Sequence, residues 1–503
     1  MDIEARSHPS AGAVSGPVHS ATIRRMSQPK LAVHGHFYQP ERRDPFSGQV
    51  PPQPSAAPYR DWNVRIDAEC YKPNVERGNL RHISYDLGPT LATWLKDNDA
   101  ATHAGFVASD LPPHIDVPGR GNAMAQAYHH TILPLASLAD RRTEIRWGLR
   151  DFELRFNRRA TGMWLPETAV DLLTLRILAD EGVRYTILAP WQAEDSRLDT
   201  RRPYRVDLGG GRAMIVVFFD AALSAAASFE PGATVDADSF ARERVSPRLN
   251  GAGFDDGAPL MAVIATDGEM YGHHQESRDL FLARLANPGP DAPEWGFEMT
   301  TVGQIVDGMP ASEFLPIQIA ERTSWSCHHG VLRWTGECPD TPDGRWKGPL
   351  RAALERLASA IDTLAERLAA GFMEPAALWG ARDQYVDVMF GAEPAEDFAK
   401  RHLPLATREQ AARFLDLLEA ERWRLAMFAS DGWYWDDPIG LETKQVLLCA
   451  AKAARMVDGA TGTNLEGRLL DDLSLFTSPS EGIDGAAIYS RALSEAGQPP
   501  AGR

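Results

Sequence analysis

No run of apolar residues approaches the roughly 20 needed to cross a bilayer; the longest candidates, such as Ala213–Phe219, have strand length. Cysteine is scarce. Cys70, Cys327, Cys338 and Cys449 lie far apart and none forms a C-x-x-C pair, which argues against a disulfide framework or a structural zinc site. Positive charge is in deficit: 52 basic against 69 acidic residues leave a net charge of −17. That balance disfavours a nucleic-acid or anionic-membrane partner and suits a neutral ligand such as a sugar. Residues 1–29 contain Arg24-Arg25 with no apolar stretch after it, so no signal peptide is expected there. Rich in Ser, Ala, Pro and charge, this segment reads as a disordered tail, and the cytoplasm as the expected location. There is no internal repeat.

What is present is enough for more than one core: 503 residues, 44% of them apolar. From Lys30 to about Thr301, short apolar β-branched runs alternate with longer helical patterns. Leu31–Val33, Gly162–Leu165, Val183–Ala189, Ala213–Phe219 and Met261–Ala265 read as strands. Between two of them, Thr168–Asp180 reads as a helix stopped by Gly182, and a β-α-β order demands parallel strands. The expected fold is α/β, a distorted barrel of parallel strands over 30–345. From about Pro349 strand-like runs disappear. Leu350, Leu354, Leu357, Ile361, Leu364 and Leu368 fall at helical spacing. A C-terminal helical domain is expected over 346–477, with further helices at roughly 374–390, 407–429 and 442–456, and a loose tail over 478–503.

In a parallel α/β domain the chemistry sits at the carboxyl ends of the strands. There the sequence places His34 and His36, on one side of an extended strand, then Glu167, Trp191, Asp220, and the run Asp267–His274. Carboxylates for acid/base work, aromatics for stacking and polar groups for hydroxyls suggest a sugar site. Each residue also has an ordinary reading. Glu167 could cap the helix that follows, Asp267 and Glu269 could bind the backbone turn around Gly268, the histidines could be satisfied core residues, and Trp191, Trp325 and Trp334 could be core aromatics.

The motifs resemble glycoside hydrolase family 57, in particular a long branch of it. His34-Gly35-His36-Phe37-Tyr38-Gln39-Pro40 resembles the family's first signature, with Phe37 and Tyr38 inserted between the His and the Gln. Gly121–Gln126 leading to His130-Thr131-Ile132-Leu133-Pro134 resembles the second, and Trp164-Leu165-Pro166-Glu167 the third. Asp267-Gly268-Glu269 with Gly272 resembles the fourth, and Ser324-Trp325-Ser326 with Trp334 the fifth. The stretch Gln53–Asn74 resembles only the long branch.

The resemblance implies a distorted seven-stranded β/α barrel with a C-terminal helical domain, acting on α-linked glucans with retention, by hydrolysis or by transfer. It implies Glu167 as nucleophile and Asp267 as acid/base, with Glu269 as a nearby anion that keeps Asp267 protonated. Sugar-binding positions are expected at His34, His36, Gln39, His130, Trp164, Trp191, Asp220, Glu269, His273, Trp325 and Trp334. The partner is an oligo- or polysaccharide, and no metal or other cofactor is required. Trp433-Tyr434-Trp435-Asp436-Asp437 is the helical domain's candidate contribution, either to the cleft or to holding the two domains together. The residues leave two rivals open: a metal-dependent hydrolase or deacetylase using His34, His36, His130, His273, His274 and Asp267, and a non-catalytic carbohydrate-binding protein on the same scaffold. Hydrolysis against transfer, linkage and oligomeric state are not encoded in these motifs.

Overall fold

The computed structural model describes residues 28–110, 121–250, 254, 260–289 and 294–499. The expected N-terminal tail therefore lies, except for its last two residues, outside the described residues, as do the last four residues of the expected C-terminal one.

Ten strands are present among the described residues: β1 (Lys30–Phe37), β2 (Ser84–Leu87), β3 (Ala123–Gln126), β4 (Met163–Trp164), β5 (Tyr185–Leu188), β6 (Tyr204–Gly209), β7 (Arg212–Phe218), β8 (Met261–Asp267), β9 (Glu298–Thr300) and β10 (Leu315–Pro316). One sheet runs β4-β3-β2-β1-β8 with β9 beside the start of β1, and a second runs β10-β6-β7-β5. All pairings are parallel except β6 with β7. The two sheets meet along both margins. Gly162 bridges Tyr185 in parallel, and the Asp220 N–H donates to the Val263 carbonyl at 2.7 Å. The strand runs read at Leu31–Val33, Gly162–Leu165, Val183–Ala189, Ala213–Phe219 and Met261–Ala265 fall on β1, β4, β5, β7 and β8, while β2 and β3 were not read from the sequence. The antiparallel β6 was not anticipated; it joins β7 through the turn Gly209-Gly210-Gly211, whose glycines all take positive φ.

The strands are short, and runs such as Leu31–Val33 and Val216–Phe218 are buried on both faces, with Leu31, Val33, Val216 and Phe218 in one apolar cluster and Ala32 and Val217 in another. Close approach needs glycine twice. A Cβ on Gly148, in helix Leu138–Phe156, would sit 1.9 Å from the Gln126 carbonyl at the end of β3. A Cβ on Gly268 would sit 2.4 Å from the Phe37 ring. The inserted Phe37 therefore fills the space that Gly268 leaves beside the last residue of β8.

The C-terminal region is helical. Its main helices are Lys347–Ala369, Arg408–Ala426 and Leu441–Thr461, packed on their apolar faces with Leu465–Leu473. The expected helix at 374–390 is broken into Pro375–Arg382 and Val386–Phe390. The expected loose tail is corrected: Gly485–Glu495 is a helix capped by Asp484, and its Ile488, Tyr489, Ala492 and Leu493 are buried in the helical core. Small residues hid the pattern, but Ile488, Ala492 and Leu493 keep the i, i+4, i+5 spacing of a packed face.

Where helix Leu138–Phe156 meets the helical region, a buried charge cluster forms. Asp140 takes Arg382 at 3.1 Å and Arg424 at 2.6 Å; Arg382 also reaches Glu421 at 3.0 Å and Arg424 reaches Asp362 at 2.7 Å.

Candidate active site

Strand register aligns the first polar group. His36 on β1 is the register partner of Asp86 on β2 and of Asp267 on β8, so one row across three strands ends in Asp, His and Asp. Asp86 is fully buried and binds both histidines, His34 Nε2 at 3.1 Å and His36 Nδ1 at 2.8 Å. Burial would lower the His36 pKa, but the charge of Asp86 and its hydrogen bond, helped by Asp267 and Glu269, outweigh it and lift it to about 9. His34 is pulled down by burial despite Asp86. His130 is lowered far by burial and by cationic His36. The protons are thereby ordered: imidazolium His36 donates from Nδ1 to Asp86 and from Nε2 to His130 Nε2 at 3.2 Å. Neutral His130 donates from Nδ1 to the Ser430 hydroxyl at 2.7 Å.

Glu167 stands at the end of β4 in the left-handed backbone region, φ 57° and ψ 20°, and Thr168 follows at φ 49°. Non-glycine residues there cost about 1–3 kcal/mol each. What holds Glu167 in place is the segment Ser324–Ser326. The Trp325 N–H donates to the Glu167 carbonyl at 2.9 Å, the Trp325 indole N–H donates to Glu167 Oε2 at 3.1 Å, and the Ser326 hydroxyl donates to the same oxygen. Burial pushes Glu167 up to about 7, with Asp267 and Asp431 adding to it and the Ser326 hydrogen bond and His36 opposing.

Asp267 ends β8. Its carboxyl is reached by solvent only from the cavity; the surrounding protein still raises its pKa, with His36 and His274 opposing and Asp86 adding. Asp86 adds to the rise, while between Asp267 and Glu269 the repulsion falls on Glu269. Glu269 is 4% exposed and is itself pushed up to about 7, by burial and then by Asp267. It accepts from the Tyr71 hydroxyl at 2.5 Å and the Tyr38 N–H at 3.3 Å. The long-branch stretch Gln53–Asn74 therefore braces this loop. Besides Tyr71, the Cys70 thiol donates to the Gly268 carbonyl, Asn74 donates to the Tyr271 carbonyl at 2.7 Å, and Glu69 pairs with His273.

These ends enclose a cavity of about 780 Å³. It gathers Glu167, Asp267, His36, Gln39, His130, Trp191, Glu269, His273 and Trp325 from the expected set. Trp191 is 38% exposed at the rim, its indole N–H donating to the Ser324 carbonyl at 2.9 Å. Gln39 is engaged by Arg42 at 2.9 Å.

Four expected residues do not face the cavity. His34 and Trp164 are fully buried beneath it, stacked at 4.8 Å, so they floor the site rather than touch a ligand. Asp220 caps helix Ala221–Phe229 through the Ala222 and Leu223 N–H groups and pairs with Arg248. Trp334 is fully buried in the helical core and cannot stack on a sugar.

Several cavity residues were not foreseen. The Tyr38 hydroxyl donates to Asp431 at 2.6 Å, across from β1 to the helical region, and the Tyr38 ring stacks on His130 at 3.9 Å. Burial raises Asp431 to about 6, against the Tyr38 hydrogen bond. Tyr434 and Trp435 line the wall, while Trp433 is buried and donates to the Lys347 carbonyl. The aromatic run serves both expected purposes, divided by residue. Asp431 lies two residues ahead of it, which was the available signal. The histidines of the metal-hydrolase reading do not gather with carboxylates into a ligand group among the described residues.

A family model described as glycosyl hydrolase family 57 matches residues 118–318, and one described as a domain of unknown function, DUF3536, matches 343–497. No curated protein sequence matches. Among solved structures, an exo-type maltose-forming amylase from Pyrococcus sp. ST04 superposes with a TM-score of 0.70 at 15% identity, covering 92% of this chain and 88% of that one. A branching enzyme from Thermococcus kodakaraensis, crystallised with glucose, gives 0.58 at 15% identity over 93% and 94%. A 4-α-glucanotransferase from Thermococcus litoralis gives 0.53 at 17% identity over 86% and 60%. The first matched segment holds β3 to β10 and the second lies in the helical region, so the chain is similar to glycoside hydrolase family 57 over the one and to the DUF3536 family over the other.

Proposed function

We propose that the protein cleaves or transfers α-linked glucan chains by double displacement, with Glu167 as nucleophile and Asp267 as acid/base. The observation that carries this reading is the pair itself: two carboxyl groups at the ends of β4 and β8 open into one cavity, both with raised pKa.

The surroundings divide the roles. Two donors, the Trp325 indole and the Ser326 hydroxyl, point at Glu167 Oε2 and favour its ionised form. Burial raises the pKa of Asp267 and favours keeping a proton, with Asp86 adding and His36 and His274 opposing. Ionised Glu167 attacks the anomeric carbon while Asp267 protonates the leaving oxygen. Asp267 then takes a proton from water or from a sugar hydroxyl as the glycosyl-enzyme is released. His36, fixed by Asp86, presents positive charge beside both carboxylates, and Trp191 and Trp435 offer exposed ring faces for sugar stacking. The α-glucan assignment draws on what the three superposed enzymes are described as doing.

The test is incubation with maltooligosaccharides and with glycogen, separating products by chromatography, beside a Glu167→Gln variant. Shorter chains alone indicate hydrolysis; longer and shorter chains together indicate transfer. The variant should lose about a thousandfold or more. Turnover retained by Glu167→Gln would overturn the nucleophile assignment, and no change in any glucan by the wild type would overturn the substrate class.

A further inference from the structure

The segment that steadies Glu167 continues directly into a second cluster. Ser326 is followed by Cys327-His328-His329, and the chain returns eleven residues later at Cys338-Pro339-Asp340. The sequence shows C-x-H and C-x-D rather than C-x-x-C, and spacing alone gave no reason to join them. In the fold Cys327 Sγ and Cys338 Sγ are 3.4 Å apart, Cys338 Sγ is 3.7 Å from His329 Nδ1, and His329 Nδ1 is 3.2 Å from Asp340 Oδ2. All four ligand atoms lie within 4.8 Å of one another.

We propose that Cys327, His329, Cys338 and Asp340 form a tetrahedral site for a thiophilic divalent cation, zinc in kind, that clamps the loop carrying Trp325 and Ser326. Tetrahedral zinc, with bonds of about 2.3 Å to sulfur and about 2.0–2.2 Å to nitrogen and oxygen, sets ligand edges near 3.8 Å for S–S, 3.6 Å for S–N and 3.4 Å for N–O. The three separations match these edges to within a few tenths of an ångström. Two sulfurs with imidazole and carboxylate favour zinc over magnesium or calcium, which prefer oxygen alone. The cysteines are buried and the His and Asp are exposed, so the ion can enter from solvent on the His329–Asp340 side. Binding releases the two thiol protons to water. Two thiolates, neutral imidazole and one carboxylate then leave the site at −1. The side chain of Lys347, fully buried with its ammonium lacking any hydrogen-bond partner among the described residues, is within electrostatic reach of both sulfurs and offsets that charge.

The position gives the site a purpose that does not depend on which glucan is used. Two hydrogen bonds to Glu167 Oε2 come from the two residues just ahead of Cys327, and His328, between two ligands, contacts the Trp191 ring at 5.1 Å. The ion would tie the loop ends together under the cavity rim, adding to the core packing of Val331 and Trp334.

Full-length protein purified without chelator is analysed for metal, stripped, and titrated with zinc against a colorimetric competitor; cobalt is added to a second stripped sample. The expected result is one zinc per chain, thiolate-to-cobalt charge-transfer absorption, and loss of both in Cys338→Ser. Asp340→Asn, at an exposed position that does not threaten folding, should weaken zinc by about tenfold or more. Stripping should also speed amide exchange over residues 324–341 and leave helix Leu441–Thr461 unchanged. Zinc remaining well below one per chain after addition overturns the proposal. So does equal binding by Asp340→Asn and Cys338→Ser, and so does finding only two titratable thiols in the denatured wild type, where a disulfide would then account for the pair.

Discussion

Two groups of buried carboxylates face the same problem and are treated differently. Around Asp140, three carboxylates meet two guanidiniums, Arg382 and Arg424. Burial alone would raise Asp140, but the two arginines hold it below the usual range. Glu421 is pushed up to about 7 by burial and by Asp362, so a proton supplies what the arginines do not. In the cavity, Glu167, Asp267, Glu269 and Asp431 all have raised pKa and share one histidine cation, His36, with Arg42 at the edge. Arginine never gives up its proton; histidine and crowded carboxylic acids do. The first cluster is anchored by two permanent arginine charges and joins two parts of the fold. The second can gain and lose protons near neutral pH, which is what acid/base chemistry requires.

Exchanging one carboxylate for its amide in each cluster separates these roles most sharply. Asp267→Asn should cut kcat/KM on maltooligosaccharides by about a hundred- to ten-thousandfold and leave the melting temperature at pH 8 no lower. A large loss of stability there would erase the contrast. Asp140→Asn should do the reverse. It strips charge from the carboxylate shared by Arg382 and Arg424, and urea unfolding should show a loss of about 3 kcal/mol, with turnover per folded molecule unchanged.

Proton uptake sharpens the comparison further. Glu269 binds its proton more tightly in the fold, at about 7, than the usual 4.5. Its stabilising contribution is therefore full below the unfolded pKa and lost as pH rises through about 7. Thermal melts should show Glu269→Gln gaining on the wild type between pH 5 and pH 8, with the variant ahead at pH 8; a constant difference would remove Glu269 from the titrating set. Activity should move the other way on the acid side. Glu167 must be ionised to attack, so kcat/KM should fall as pH drops below about 7. The smallest effect is expected from Tyr38→Phe, which takes the hydroxyl donor from Asp431 and should cost about 1–2 kcal/mol in urea unfolding.

The strands were legible because parallel strands buried on both faces must be apolar runs, and Leu31–Val33, Ala213–Phe219 and Met261–Ala265 are such runs. Their ends were legible because a polar residue directly after such a run has few places to point. Chemistry by residue type was less secure. Trp191 and Trp334 look alike in sequence, yet one is at the rim and the other deep in the helical core. Asp220 was placed at the sugar rim and is a helix cap, because the same position, just before a helix, serves both. Pairings across the chain were not legible at all: Tyr38 and Asp431 are 393 positions apart, and His130 and Ser430 are 300 apart. The Cys327–Asp340 cluster escaped for a related reason, since a reverse turn in the loop, not a fixed motif length, brings its halves together.

The seam formed by Tyr38 with Asp431 and by His130 with Ser430 makes the cleft a joint property of the two ends of the chain. A barrel and a helical cap that share such a wall cannot be traded independently. A chimera that took the first 345 residues from one relative and the remainder from another would have to match both pairs across the cut. The hydroxyl at 430 and the carboxylate at 431 thus keep their partners only if the residues at 130 and 38 travel with them.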